Sequence, residues 1–275
     1  MIEIPEVAVY ARQLNETVIG RRIVHAEAAH SPHKFTWYCG EPSLYPEMLE
    51  GKTIEESYPL NGTLELRIGD VYLALSEGAN MTYLPKGSQV PQKHQLILEL
   101  DDGSALVVSV QMYGGIMCFR EGGNENPYYL VVREKPSPLT VDFSREYFSG
   151  IISSPEVQRL SAKAALATDQ RIPGLGNGVL QDILYHACIH PKRPLNTLIE
   201  IDQDVLFSSI THTLQLMADQ GGRDTERDLF GNPGGYITCC SKNTVGRPCQ
   251  KCGALIEKAS YMGGSIYFCP VCQKL

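Results

Sequence analysis

Val7, Tyr10, Leu14 and Val18 recur at three-to-four spacing behind Pro5, so the pattern predicts an opening amphipathic helix over residues 5–18, ended by Gly20. From Ile23 to Val132 the period shortens. Compact apolar runs at Thr63–Ile68, Val71–Leu75, 95–100 and Ala105–Val110 are parted by turn pairs such as Gly69-Asp70 and Asp102-Gly103, which reads as an antiparallel β sandwich or barrel. Pro136 and Pro138 bar residues 134–139 from a helix or a central strand and mark a linker. Helical spacing returns over 144–150, 155–168, 178–189 and 202–220. From Tyr236 onward there is little periodic apolar surface, so the tail needs a cross-link to fold. The expected architecture is α+β and multidomain: a β-sandwich domain with a leading helix (1–135), a helical domain (136–235) and a cysteine-bearing hairpin (236–275). No internal repeat is present.

The composition of the 275 residues, 43% hydrophobic and 20% charged, is that of a globular chain and excludes wholesale disorder. The longest apolar stretch, 105–119, is broken by Ser109, Gln111, Gly114 and Gly115, so no membrane span is expected. The start lacks a basic segment followed by an apolar one, and a reducing cytoplasm is the expected compartment. A net charge of -7 opposes nonspecific binding to a polyanion unless positive charge is gathered on one face. Residues 1–135 carry 11 basic and 18 acidic groups, 136–235 carry 8 and 12, and 236–275 carry 5 and 1. Only the tail is basic.

Six of the nine cysteines lie in that tail, and Cys249, Cys252, Cys269 and Cys272 form C-x2-C-x16-C-x2-C. Two tight cysteine turns joined by a hairpin offer four soft ligands, which favours one tetrahedral structural Zn2+. Its thiolate shell leaves no open position for a substrate, and four thiolates around one ion lower the charge of the tail from +4 to about +2. Two disulfides or a redox pair are the competing readings, and both fit a chain without secretion signals or a βαβ pattern poorly. Cys239 and Cys240 are adjacent and read as packed or exposed thiols; Cys39, Cys118 and Cys188 read as interior.

Residues 171–178, Arg-Ile-Pro-Gly-Leu-Gly-Asn-Gly, lie between two helical patterns. Such a loop can present N–H groups to a phosphate; it can equally be a tight turn capped by Asn177. A dinucleotide-binding turn is disfavoured because what precedes it is helical.

Taken together, Glu3-Ile4-Pro5-Glu6, Leu49 through Ile54, Asp169-Gln170-Arg171 through Asn177 to Ile189-His190-Pro191, and Cys249 through Gln273 resemble the formamidopyrimidine-DNA glycosylase and endonuclease VIII family of base-excision repair proteins. The resemblance spans nearly the whole chain and implies a helix, a β sandwich, a helix-two-turn-helix domain and a zinc finger. It also implies double-stranded DNA with a damaged base or abasic site in the cleft between domains, an extruded nucleotide, and a monomer acting on a bacterial chromosome in the cytoplasm. Asn177, the backbone at Gly176 and Lys163 would hold a phosphate beside the lesion. The family's nucleophile is the amine of an N-terminal proline. This chain has Ile2 there, so the amine is that of Met1 or, after processing, of Ile2, and a primary amine with a pKa of about 7.7 to 8.0 can attack a sugar C1′. Glu3 resembles the family's acid at the sugar ring and Glu6 its partner; the competing reading is that both favour the positive end of the first helix. Asn61 stands where the family has a phosphate-binding lysine, and Gly264 where the finger has an arginine. Met112 and Tyr113 align with the family's wedge residues or else pack within a strand. Residues 221–235 read as a mobile loop, either one that recognises the lesion or a solvated connector, and His186 with His190 does not make a second metal site. The activity implied is glycosidic-bond cleavage with abasic-site lyase activity. The alternatives are a noncatalytic lesion-binding protein on the same scaffold and a zinc-ribbon protein serving protein contacts.

Overall fold

The computed structural model describes residues 2–275; Met1, one of the two expected amine donors, lies outside the described residues. The first helix, α1 (Ile4–Thr17), starts at an extended Glu3 whose N–H is accepted by Glu6 Oε2 at 3.0 Å, and Pro5 fits the first turn, where no amide hydrogen is needed. Next come β1 (Ile23–Ala28), β2 (Thr36–Cys39), a short helix α2 (Tyr45–Leu49), β3 (Ile54–Leu60), β4 (Thr63–Ile68), β5 (Val71–Leu75), β6 (Ala79–Leu84), β7 (Leu96–Leu100), β8 (Ala105–Val110) and β9 (Gly114–Arg120). They form a four-stranded sheet, β1-β7-β8-β6, and a five-stranded sheet, β2-β9-β5-β4-β3, antiparallel except for β2 beside β9. Leu64, Leu66, Leu73 and Leu75 of one sheet meet Met81, Leu98, Leu106 and Val108 of the other in a single core. The sequence expectation of a β sandwich is met, while β2 and α2 lay in a stretch without clear period.

The chain then forms α3 (Pro127–Glu134), α4 (Arg145–Ile152), α5 (Pro155–Gln158), α6 (Ala162–Ala167), α7 (Asn177–His186) and α8 (Glu200–Asp219). Residues 155–168 are two short helices, not one, because Ser161 stops the first path and caps the next by accepting from Ala164 N at 3.2 Å. α3 likewise begins on a cap, Asn126 accepting from Tyr128 N, just before the proline-rich stretch. A hairpin of β10 (Glu257–Tyr261) and β11 (Gly264–Phe268) ends the chain.

α1 serves two cores at once. Ile2, Val7, Tyr10 and Leu14 pack into the sandwich, whereas Ile4 joins Phe148, Leu175, Leu180 and Leu214 in the helical core. Residues 221–235 are also folded in, contrary to the expectation of a solvated connector. Leu229 is buried in the sandwich core, Tyr10 Oη donates to Arg227 O at 3.1 Å, and Asp228 Oδ1 accepts from the amides of Phe230 and Asn232.

The two main units also touch through glycines. Gly174 has φ +75°, and a Cβ there would lie 2.2 Å from Gly62 N in the β3–β4 turn. Left-handed strain of about 1–2 kcal/mol and overpacking of about 1–3 kcal/mol both oppose a side chain there. Gly174→Ala is therefore expected to lower unfolding free energy by about 2–4 kcal/mol in urea titrations. Gly150→Ala, in α4 with nothing within 4 Å of the added carbon, should be neutral or stabilise by up to about 1 kcal/mol.

Candidate functional site

Where α1, α7 and the 221–235 loop converge, Glu3, Glu6 and Arg223 are almost wholly removed from solvent, Arg223 being 2% exposed. Glu3 Oε1 accepts from Gly178 N at 2.9 Å and Oε2 from Val179 N at 2.8 Å, so the carboxyl sits on the positive N-terminus of α7. Arg223 grips Glu6 in a fork, Nε to Oε1 at 2.9 Å and NH2 to Oε2 at 2.8 Å, and its NH1 stands 3.7 Å from Glu3 Oε2. Arg223 N also donates to Glu6 Oε1. Burial pushes the Glu3 carboxyl above the usual carboxylate range, against the pull of Arg223 and the two amides. Burial acts the same way on Glu6, but the Arg223 charge and its hydrogen bonds outweigh it and hold Glu6 low. One carboxyl thus keeps its proton more readily while its neighbour carries the charge.

This arrangement corrects the reading of the glycine loop. The amides of Gly178 and Val179 do not wait for a phosphate, since Glu3 already takes them. Nor does Asn177 cap α7: Gly176 holds the cap position, and Asn177 Nδ2 donates to Ser265 O at 3.0 Å, tying the helix to the hairpin. Gly176 and Gly178 are dictated by packing, because a Cβ would lie 2.6 Å from Glu3 Oε1 at the first and 1.8 Å from Arg223 NH1 at the second.

In front of Gly176 runs a groove of about 500 Å³ that brings Gly176, Asn177 and Lys163 together with Met262–Gly264 of the hairpin on one side, and Glu77, Met112, Tyr113 and Tyr128 on the other. Met112 (66% exposed) and Tyr113 (45%) stand in the turn between β8 and β9, so the strand-packing reading does not hold for them. Lys163 Nζ donates to Tyr261 O at 3.0 Å and would lie 3.5 Å from a Cβ at Gly264, so a buried lysine of α6 stands beside the turn of the hairpin. Burial lowers its pKa. Asn61 is buried at φ +53°, its amide nitrogen donating to Val132 O and Lys135 O at 3.0 Å each, while Lys135 Nζ reaches Gln170 O at 2.5 Å.

Glu77, Tyr113, Tyr128, Gln170 and Gly174 also line a second cavity of about 560 Å³, which is walled by Trp37, Tyr129 and Met117. Trp37 fits because Gly115 has no side chain; a Cβ there would meet its ring at 2.3 Å. Burial, followed by the nearby Glu3, raises the Glu77 pKa. The cavity therefore combines flat aromatic walls with a carboxyl whose pKa burial raises. Glu77, Trp37, Lys135 and Arg223 were not found from the sequence: each is a lone residue whose role comes from a fold contact rather than a motif.

Cys249, Cys252, Cys269 and Cys272 lie with their sulfurs within 4.8 Å of one another, at 3.9 Å for Cys249–Cys272 and 3.4 Å for Cys252–Cys269. Thiolates bonded at about 2.3 Å to one tetrahedral ion stand roughly 3.8 Å apart, so the cluster can bind a metal, and the four are not joined as disulfides. The hairpin is bolted to α7: Tyr267 N donates to Gln181 Oε1, and Asp182 accepts from Cys239 N at 2.9 Å and Cys240 N at 2.7 Å. Cys118 is buried and Cys39 half-buried, but Cys188, expected in the interior, is exposed at φ +57° beyond the end of α7. His186 meets Tyr236 Oη at 3.1 Å, and His190 stacks edge-on with Phe268, so the two histidines serve packing.

A sandwich and a helical unit thus flank a groove, with a cysteine hairpin at its edge. Over its whole length the chain is similar to formamidopyrimidine-DNA glycosylases. It is 29% identical to the formamidopyrimidine-DNA glycosylase of Pectobacterium carotovorum and 29% identical to that of Lactococcus lactis, in each case over 100% of both chains. Its structure matches Lactococcus lactis Fpg in complex with DNA containing an abasic site, with a TM-score of 0.84, 25% identity and coverage of 99% of this chain and 100% of the other. The same enzyme in complex with DNA containing an N7-benzyl-Fapy-dG matches with a TM-score of 0.84 at 26% identity and the same coverage. No family model matches the chain.

Asp182 gives a direct test of the coupling between α7 and the tail. Asp182→Ala strands two buried amides and should destabilise the protein by about 1.5–3 kcal/mol by chemical denaturation. Burial raises the Asp182 pKa from 3.8 to about 6. Its contribution is therefore largest below pH 3.8 and is lost as pH rises through about 6, a change of up to about 3 kcal/mol that Asp182→Asn should abolish.

Proposed function

We propose that this chain binds double-stranded DNA carrying a damaged base or abasic site, extrudes the nucleotide into the groove, and cleaves its glycosidic bond with Glu3 as the acid. The observation that carries the reading is Glu3 itself, a buried carboxyl on the start of α7 directly behind Gly176, the residue that lines the groove together with Lys163 and the cysteine hairpin. Solved relatives with this fold hold DNA containing an abasic site or a lesion.

In this mechanism Glu3 delivers its proton toward the sugar ring oxygen, and Glu6 acts through Arg223 to fix its position. The attacking group is the amine at the start of the chain, of Met1 or of a processed Ile2. The departing base enters the aromatic cavity, where Trp37 and Tyr129 offer faces for stacking and Glu77 a hydrogen-bonding carboxyl. Met112 or Tyr113 fills the vacated stack. Zn2+ on the four cysteines, one ion per chain, holds the hairpin against α7, with no role at the reacting atoms. Asn177, the Gly176 backbone and Lys163 receive the phosphate, with Lys163 leaving its bond to Tyr261 O as it does so. The setting proposed is the bacterial chromosome, with the protein acting as a monomer.

A second reading, binding without turnover, is favoured by specific contacts. Both Glu3 oxygens are engaged, Asn61 replaces a cation with an amide already bonded to two carbonyls, and Gly264 has no side chain to grip a phosphate.

Borohydride trapping on abasic and oxidised-base DNA, with mass mapping of the adduct, separates the readings. A covalent adduct on the first residue supports catalysis; tight binding with neither adduct nor base release across a broad lesion panel establishes the second reading. If Glu3 is the acid, Glu3→Gln should slow base release by about 100-fold or more with DNA affinity nearly unchanged. Release should fall as pH rises through the elevated Glu3 pKa, because only the protonated carboxyl donates. Chelation should extract one zinc, unfold the hairpin and weaken DNA binding, as followed by metal analysis and fluorescence anisotropy.

A further inference from the structure

On the outer face of the four-stranded sheet, β1 carries Glu27, the turn after it carries His30, and the segment entering β7 carries His94. The left-handed Ala29 (φ +59°) turns the chain so that Ser31 N donates to His94 O at 3.0 Å, which sets His30 beside His94. Their rings stack 4.2 Å apart, and His30 Nδ1 lies 2.8 Å from Glu27 Oε1. The three residues share a hollow of about 310 Å³ with His25 and Glu99, and none of them lines the groove or the aromatic cavity.

His94 distinguishes this hollow from an ordinary polar surface. The residue is 4% exposed, and its Nδ1 lies 2.8 Å from Pro91 O, a carbonyl that can only accept. The proton is therefore on Nδ1, and the lone pair of the neutral ring is on Nε2. That nitrogen is buried and has no hydrogen-bond partner. An acceptor left so is unfavourable by about 1–3 kcal/mol, while an imidazole whose far N–H is fixed by a backbone carbonyl is oriented as metal-binding histidines are. One ligand atom from each of Glu27, His30 and His94 lies within 4.8 Å of the others. Ligands of a single tetrahedral ion stand roughly 3.4 Å apart, so closure requires a shift of roughly 1 Å. Half-exposed His30 can supply it by turning out of the stack.

We propose that Glu27, His30 and His94 form a second metal site, independent of the cysteine cluster, that takes a divalent transition ion such as Zn2+, Cu2+ or Ni2+. Two neutral imidazoles and a carboxylate match the preference of these ions, and Glu99 adds negative charge nearby. Three protein ligands leave a position open to solvent.

The test is calorimetric titration of ZnCl2 into the full chain already loaded at its cysteines, with metal content measured after gel filtration. One further equivalent is expected. His30→Ala and Glu27→Gln, both at accessible positions, should weaken that equivalent by about 100-fold while sparing the cysteine-bound ion; His94→Ala should do the same wherever it remains folded by circular dichroism. His212→Ala, on the exposed face of α8, should change nothing. Absence of a further equivalent with zinc, copper and nickel alike, or its survival in His30→Ala and Glu27→Gln as an adventitious ion, overturns the assignment.

Discussion

Arg223, held between Glu3 and Glu6 out of reach of water, is the contact on which the rest of the site depends. A guanidinium and two carboxyls are expensive to desolvate, and the arrangement is tolerable only because nearly every polar atom is answered: four donors converge on Glu6, two amides on Glu3, and the charge of Arg223 faces both. Removing one member leaves the others buried and unpaired, a loss of about 3–5 kcal/mol in comparable settings. The contact joins three segments remote in sequence, which is why the start of α1, the start of α7 and the 221–235 loop behave as one body. It also explains a set of glycines. Gly176 and Gly178 clear space for Glu3 and Arg223, and Gly234 lets its strand pass Gly222, where a Cβ would come within 2.2 Å of backbone.

The same contact divides labour between two otherwise similar acids. Glu6 faces the fork of Arg223 and is held ionised; Glu3 has the Arg223 guanidinium farther off, its NH1 at 3.7 Å, and is dominated by burial. Two carboxyls with opposed environments are what acid chemistry near neutral pH requires. Little of the groove's grip comes from net charge. Lys163 is buried and already bonded to the hairpin, and the acidic chain gathers its positive surplus only in the tail. On the proposed reading, shape, aromatic surface and the exposed Met112 and Tyr113 therefore carry more of the binding than in a strongly basic groove.

Elements whose signal is local were legible in the sequence. The period-two runs became β4, β5, β7 and β8, the cysteine spacing became a four-sulfur cluster beside a hairpin, and Gly176, Asn177 and Lys163 line one groove, with Glu3 buried behind it. What was missed depends on contacts the chain makes with distant parts of itself. Arg223 in Gly-Gly-Arg-Asp-Thr-Glu-Arg-Asp looks like one of several solvated charges, and only the docking of Leu229 and Tyr10 pulls it inward. Asn177 has the residue type of a helix cap, but Glu3, from the other end of the chain, supplies the cap instead. Ser161 split a helix that apolar spacing alone made continuous. Cys188 lies outside because the chain turns left-handed there at the end of α7, which no hydrophobicity pattern encodes.

The substitution at the second position has a structural logic of its own. Ile2 is 1% exposed and belongs to the sandwich core, and full burial of such a side chain contributes about 1.5–3 kcal/mol. Its neighbour's amide is held by Glu6, so the backbone between Ile2 and α1 is fixed at both ends. If processing exposes the Ile2 amine, that amine lies immediately beside Glu3 on a rigid stem. If Met1 remains, the amine is displaced by one Cα step, about 3.8 Å. Misplacement by a single ångström can lower a rate about 100-fold. On the proposed catalytic reading, anchoring Ile2 in the core makes reach to the sugar depend on which residue carries the amine.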